Sequence, residues 1–133
     1  MTTLPTWPDL GPAAENVFAT TTAWPTQDNA GMAELSKHMI DELKVPALPS
    51  YAAVGYSILQ VLQQSVTGAN TLDQEQLRAY IGENTFDTAV GQLRYQPDGT
   101  VDPGGLLLQF QQGANAVVWP AAEATGPARP FHP

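Results

Sequence analysis

The chain has 133 residues, room for one ordinary domain, and 43% of them are hydrophobic, enough for a packed core. The formal net charge is −8, and the five basic residues (Lys37, Lys44, Arg78, Arg94 and Arg129) are scattered, which excludes nucleic acid and anionic membrane surfaces as partners, since both need clustered cations. Cysteine is absent, so disulfides and thiolate metal sites are excluded too.

Residues 1–16, with Pro5, Pro8, Gly11 and Pro12, read as an irregular lead-in. The opening Met1-Thr2-Thr3-Leu4-Pro5 has neither a basic nor an apolar region, so no signal peptide is expected in this chain. Residues 17–22 (VFATTT) are β-branched and aromatic and predict a strand. A loop through Trp24-Pro25 follows. Residues 29–43 place Met32, Leu35, Met39, Ile40 and Leu43 on one face at helical period, with Asp28 or Asn29 as the N-cap. Pro46 and Pro49 end that helix.

Residues 50–66 predict a second helix that is apolar over most of its surface. Only Ser57, Gln60 and Gln64 form a polar stripe, so the helix is expected to be sandwiched between other elements. Its interruptions by Gly55, Ser57 and the glutamines argue for a buried helix over a membrane span. Thr71 and Gln74 suit a capping box for a third helix, with Leu77, Tyr80 and Ile81 inward. Asp87 and Thr88 read as residues that turn the chain into strand 91–96, which ends at a Pro97-Asp98-Gly99 turn. Strands 106–111 and 116–119 follow, joined as a hairpin through residues 112–115. Residues 120–133, with four prolines, are expected to be a disordered tail.

The order is one strand, three helices and a C-terminal three-stranded β element: an α/β chain whose first strand has no sheet partner nearby in sequence. Several segments recur in a recognisable order. They are Ser50-Tyr51-Ala52-Ala53-Val54-Gly55-Tyr56, then Gly68-Ala69-Asn70-Thr71, then Phe86-Asp87-Thr88-Ala89-Val90-Gly91 with Asp98-Gly99, and last Val117-Val118-Trp119-Pro120. Residues 17–119 thereby resemble the C-terminal stretch of type-1 periplasmic solute-binding proteins, the leucine/isoleucine/valine-binding family of ABC importers.

The resemblance implies part of a two-lobed fold that closes on a solute by hinge motion. It implies a crossover role for strand 17–22, a small-molecule solute such as an amino acid, an ABC permease as partner in the full-length context, and a periplasmic or cell-surface location. It also implies that Tyr51, the aromatic that opens the apolar helix, touches the solute. Trp24, after the crossover strand, is a second ligand-binding candidate at the cleft rim. Both residues also fit ordinary packing roles. The polar groups that hold an amino acid's ammonium and carboxylate in the family have no counterpart in the chain.

No catalytic arrangement stands beside this reading. There is no G-x-S-x-G elbow and no nucleophile–base pair. Gly104-Gly105 is isolated and makes no phosphate loop. His38 has only His132 as a second imidazole and is expected to be a solvent-exposed helix residue. No enzyme activity, cofactor or metal is therefore expected. The alternative to a receptor segment is a self-associating module derived from such a receptor, with a homodimer covering the apolar helix.

Overall fold

The computed structural model describes residues 2–4, 6–102 and 104–130; His132 lies outside them. The lead-in forms a 3₁₀ segment, Trp7–Ala14, kinked at Gly11. Strand β1 is Phe18–Thr21. Helix α1, Met32–Lys37, continues into a π-helical turn, His38–Glu42. Helices α2, Ser50–Ala69, and α3, Gln74–Glu83, follow. Four strands complete the order: β2 Thr85–Thr88, β3 Gly91–Arg94, β4 Leu106–Gln111 and β5 Ala114–Trp119.

The mixed α/β order matches the sequence reading, but the strands sort into two sheets. Strand β1 pairs antiparallel with β4, Phe18 opposite Gln109, and β4 pairs with β5. The partner of the early strand thus comes from the far end of the chain. Strands β2 and β3 form a separate hairpin, so the strands after the helices do not make one three-stranded element. Asp87 and Thr88, read as turn residues, lie in β2. The turn itself is Ala89-Val90, both buried. Its polar groups are met by side chains: Thr88 Oγ1 donates to the Gly91 carbonyl at 2.7 Å, and Asn29 Nδ2 donates to the Ala89 carbonyl at 3.2 Å. The Asn29 side chain therefore serves the hairpin, while its carbonyl accepts from the Met32 N–H at 3.0 Å at the helix start, where Gly31 is the N-cap.

Gly31 is needed there for two reasons. Its φ is +79°, and an added Cβ would lie 2.9 Å from both Gln60 Nε2 and Tyr56 Cε1 on α2. The start of α1 is pressed that closely on α2. Met32, Leu35, Ala53, Val61, Phe86, Ala89, Val90 and Leu93 form the main core between helices and hairpin. A smaller core, Leu106, Leu108 and Val117, lies on the three-stranded sheet with Trp24 packed against it.

Helix α2 is turned opposite to the expectation. Ala53, Ser57, Val61 and Ser65 face inward, and Ser57 is only 2% exposed. The polar stripe faces the hairpin: Ser57 Oγ accepts from Val90 N–H at 3.2 Å, and Gln60 Oε1 accepts from Ala89 N–H at 2.8 Å. Gln60 Nε2 donates to the Ala30 carbonyl and Gln64 Nε2 to the Asp87 carbonyl, each at 2.9 Å. The physical reason is close approach. Small side chains let the turn come near, and that turn offers backbone groups that only polar partners can satisfy.

The β4–β5 turn is Gln112-Gly113, with φ of +53° and +82°, as a two-residue type I′ hairpin requires. The Glu15 carboxylate accepts from both turn N–H groups, at 2.8 and 2.9 Å. Residues 120–130, expected to fray, carry hydrogen bonds to the sheet. Thr125 exchanges two with Val117. Buried Gln109 grips Arg129 through its backbone N–H and carbonyl, at 2.7 and 2.8 Å. Among the described residues, no helix is long and apolar enough to cross a membrane.

Candidate functional site: two cavities and an apolar helix face

The two candidate ligand residues are placed differently. Tyr51 is the second residue of α2 and is 74% exposed. Trp24 is half-buried beyond the end of β1, held there by a hydrogen bond from its backbone N–H to Gln27 Oε1 at 2.9 Å. Trp24 lines a cavity of about 500 Å³ together with Leu4, Ile40, Leu48, Phe110 and Asn115. Tyr51 lines neither this cavity nor the second one described below.

The second cavity, about 750 Å³, lies between the start of α1 and the β2–β3 hairpin. Asp28, Glu34 and Asp87 supply its charge, a set that suits a cation and repels a carboxylate. Gln92 Nε2 donates to Asp87 Oδ1 at 2.9 Å and holds that side chain. Among the described residues, neither cavity is lined by a lysine or arginine that would offer a counter-ion for an amino acid's carboxylate. No group of three or more His, Cys, Asp or Glu side chains is arranged to hold a metal among the described residues. His38 lies in the π turn, its Nδ1 2.9 Å from Glu42 Oε2, with both side chains more than half exposed.

The outer face of α2 is the third feature. Tyr51, Val54, Ile58 and Leu62 are spaced i, i+3, i+7 and i+11, and with Leu59 all are exposed. The helix has no charged residue along its length. Each such side chain is worth about 1.5–3 kcal/mol when fully covered. Exposed apolar stripes of this kind occur at protein, membrane and ligand contact surfaces. Sequence reasoning found this face's composition but expected it inside. The inward roles of Gln60 and Gln64 were missed, because a glutamine that bonds the backbone leaves the same sequence signal as one in water.

No protein-family model and no curated protein matches the chain. Solved structures do resemble it. A leucine-binding protein, LivK, from Thermotoga maritima MSB8 is similar with a TM-score of 0.62 at 20% identity, over 80% of this chain and 31% of that one. A solute-binding protein of an ABC transporter from R. palustris, solved in complex with benzoate, is similar with a TM-score of 0.68 at 17% identity, over 94% of this chain and 34% of that one. The chain spans about a third of the length of these proteins. It therefore has the fold of part of a type-1 periplasmic solute-binding protein.

Proposed function

We propose that the chain supplies the C-terminal part of the solute-binding component of an ABC importer for branched-chain amino acids or related small solutes. The observation that carries this reading is the shared fold with two proteins whose names state leucine and benzoate as ligands. Residues 17–119 are the part of the two-lobed fold, working in the periplasm or at the cell surface with an ABC permease. Tyr51 touches the solute, and Trp24 contributes from the rim of the cleft. The exposed stripe on α2 supports the same reading, because in a larger receptor the leading part of the fold would cover it.

The test fuses the chain behind the leading two-thirds of a leucine-binding receptor and measures solute binding calorimetrically. A folded fusion is expected to bind leucine, valine, isoleucine or benzoate. The isolated chain is expected to show no saturable amino-acid binding tighter than about 1 mM. A cooperatively folded fusion that binds none of the four solutes would overturn the reading, as would micromolar leucine binding by the isolated monomer.

One observation favours a second reading. The uncharged stripe of Tyr51, Val54, Ile58, Leu59 and Leu62 also suits self-association, which makes the chain a homodimeric module without transport function. A discrete dimer that persists on dilution and melts in one cooperative step would favour it over the receptor reading, whereas an uncovered receptor face gives concentration-dependent association without a fixed stoichiometry.

A further inference from the structure

The geometry points to the outer face of the β1–β4–β5 sheet as a docking groove for an extended, proline-containing segment of another protein, with the chain's own tail as its resident occupant. This inference is independent of the receptor reading. Gln109 and Gln111 alternate along β4 with Leu107, so all three share one face. Phe18 lies opposite Gln109 and Trp119 opposite Leu107, which puts both aromatics on that face. Gln109 is 0% and Gln111 8% exposed, whereas Phe18 is 43% and Trp119 59% exposed.

The tail shows what the two glutamines read. Gln109 Oε1 accepts from the Arg129 N–H at 2.7 Å, and Gln109 Nε2 donates to the Arg129 carbonyl at 2.8 Å. One amide meets the N–H and the carbonyl of a single residue when that residue is extended, as in a ladder pair. Gln111 Nε2 donates to the Pro127 carbonyl at 2.9 Å and to Gln109 Oε1 at 2.7 Å. Residues two apart on the tail thus sit on residues two apart on β4. Pro127 and Pro130 have no N–H, and neither glutamine asks for one there. The groove therefore accepts a Pro-x-x-Pro segment whose third residue keeps its N–H.

The tail is a weak occupant. The glutamines bond to its backbone alone, and residues 127–130 are exposed, so few apolar contacts oppose local opening. A partner segment that repeats this backbone pattern gains more, because proline rings pack on exposed aromatics such as Phe18 and Trp119. A second copy offers only the same tail, and it would compete with a tail held in place at roughly millimolar effective concentration. The occupant that displaces the tail is therefore a different protein. Until then the tail keeps two buried amides paired, as buried polar groups almost always are.

The test uses the whole chain carrying Arg129→Pro, which removes the N–H that Gln109 reads and frees the groove without altering it. The probe is the blocked peptide Thr-Gly-Pro-Ala-Arg-Pro, a copy of residues 125–130, followed by NMR shifts of the Gln109 and Gln111 side-chain amides. Saturation is expected in the variant, with binding to the unaltered chain about 10-fold weaker because its tail competes. The peptide with proline in place of arginine is expected not to saturate. If the variant does not fold, amide exchange on the unaltered chain decides. The Arg129 N–H is then expected to exchange about 100-fold faster than the Phe110 N–H, which donates to the Val17 carbonyl at 3.0 Å. No saturation in the folded variant, equal affinity of the two chains or of the two peptides, shifts away from the sheet, or equal exchange at the two amides would overturn the proposal. So would the same shifts on adding the unaltered chain in place of the peptide, which would make a second copy the occupant.

Discussion

Replacing Gln60 with leucine tests which side of α2 is packed. Gln60 receives the Ala89 N–H at 2.8 Å and donates to the Ala30 carbonyl at 2.9 Å. Ala89 is 0% exposed, so its N–H would be left buried without a partner, at a cost of about 1–3 kcal/mol. The lost bond to Ala30 adds about 0.5–1 kcal/mol, because that carbonyl can turn to water. The expected loss is roughly 1.5–4 kcal/mol, which for a chain of this size lowers Tm by on the order of 10 °C. Gln63 is exposed, and Gln63→Leu is expected to stay within about 0.5 kcal/mol of the unaltered chain. Urea melts followed by circular dichroism compare the two directly. Equal stability of both variants would refute the inward orientation of the polar stripe.

Two glycines of α2 should respond with opposite signs. Gly55→Ala meets nothing within 4 Å and should stabilise by about 0.5–1 kcal/mol through helix propensity. Gly68→Ala puts a Cβ onto the Tyr80 phenol ring, which is tilted against Phe86 with centroids 6.5 Å apart; despite the better helix former it should destabilise by about 1–3 kcal/mol, and calorimetry separates the two. Gln109→Leu removes a fully buried amide that holds Asn16 and Arg129; it should cost about 2–3 kcal/mol and speed amide exchange at Arg129. The Asp98 carboxyl is held below the usual range, first by the Thr100 hydroxyl and then by the Thr100 N–H. A carboxylate whose pKa is lowered on folding stabilises the fold above its unfolded pKa, and the contribution is lost as pH falls through the lowered value. An NMR titration should show Asp98 returning toward the ordinary range in Thr100→Ala, and an unchanged pKa would contradict the assignment.

The mixed order of helices and strands was legible because its signals are local: Pro46 and Pro49 between helices, Asp98-Gly99 at a turn, and the apolar run from Leu106 to Phe110. Pairing was not. Strand β1 finds β4 across most of the chain, and nothing in a short β-branched run names its partner. Strand β2 was hidden because its turn, Ala89-Val90, contains none of the usual turn residues and is completed by Ser57, Gln60 and Asn29 from elsewhere. The reversal of α2 has the same origin. Hydrophobicity ranks each face by its transfer to oil, but this helix meets a backbone turn whose N–H and carbonyl groups need polar partners. Trp24 was legible as an aromatic beyond a strand, whereas Thr2 and Asn115 became a pair only when the N-terminal segment met the β4–β5 hairpin.

The central claim is that the outer face of α2 is made to be covered by protein. Light scattering of the purified chain over a wide concentration range tests it most directly, beside the variant Ile58→Glu, Leu59→Glu. The account predicts that the mass of the unaltered chain rises with concentration and that the variant stays monomeric with an unchanged melt. A unaltered chain that remains a compact monomer at every concentration, indistinguishable from the variant, would contradict it.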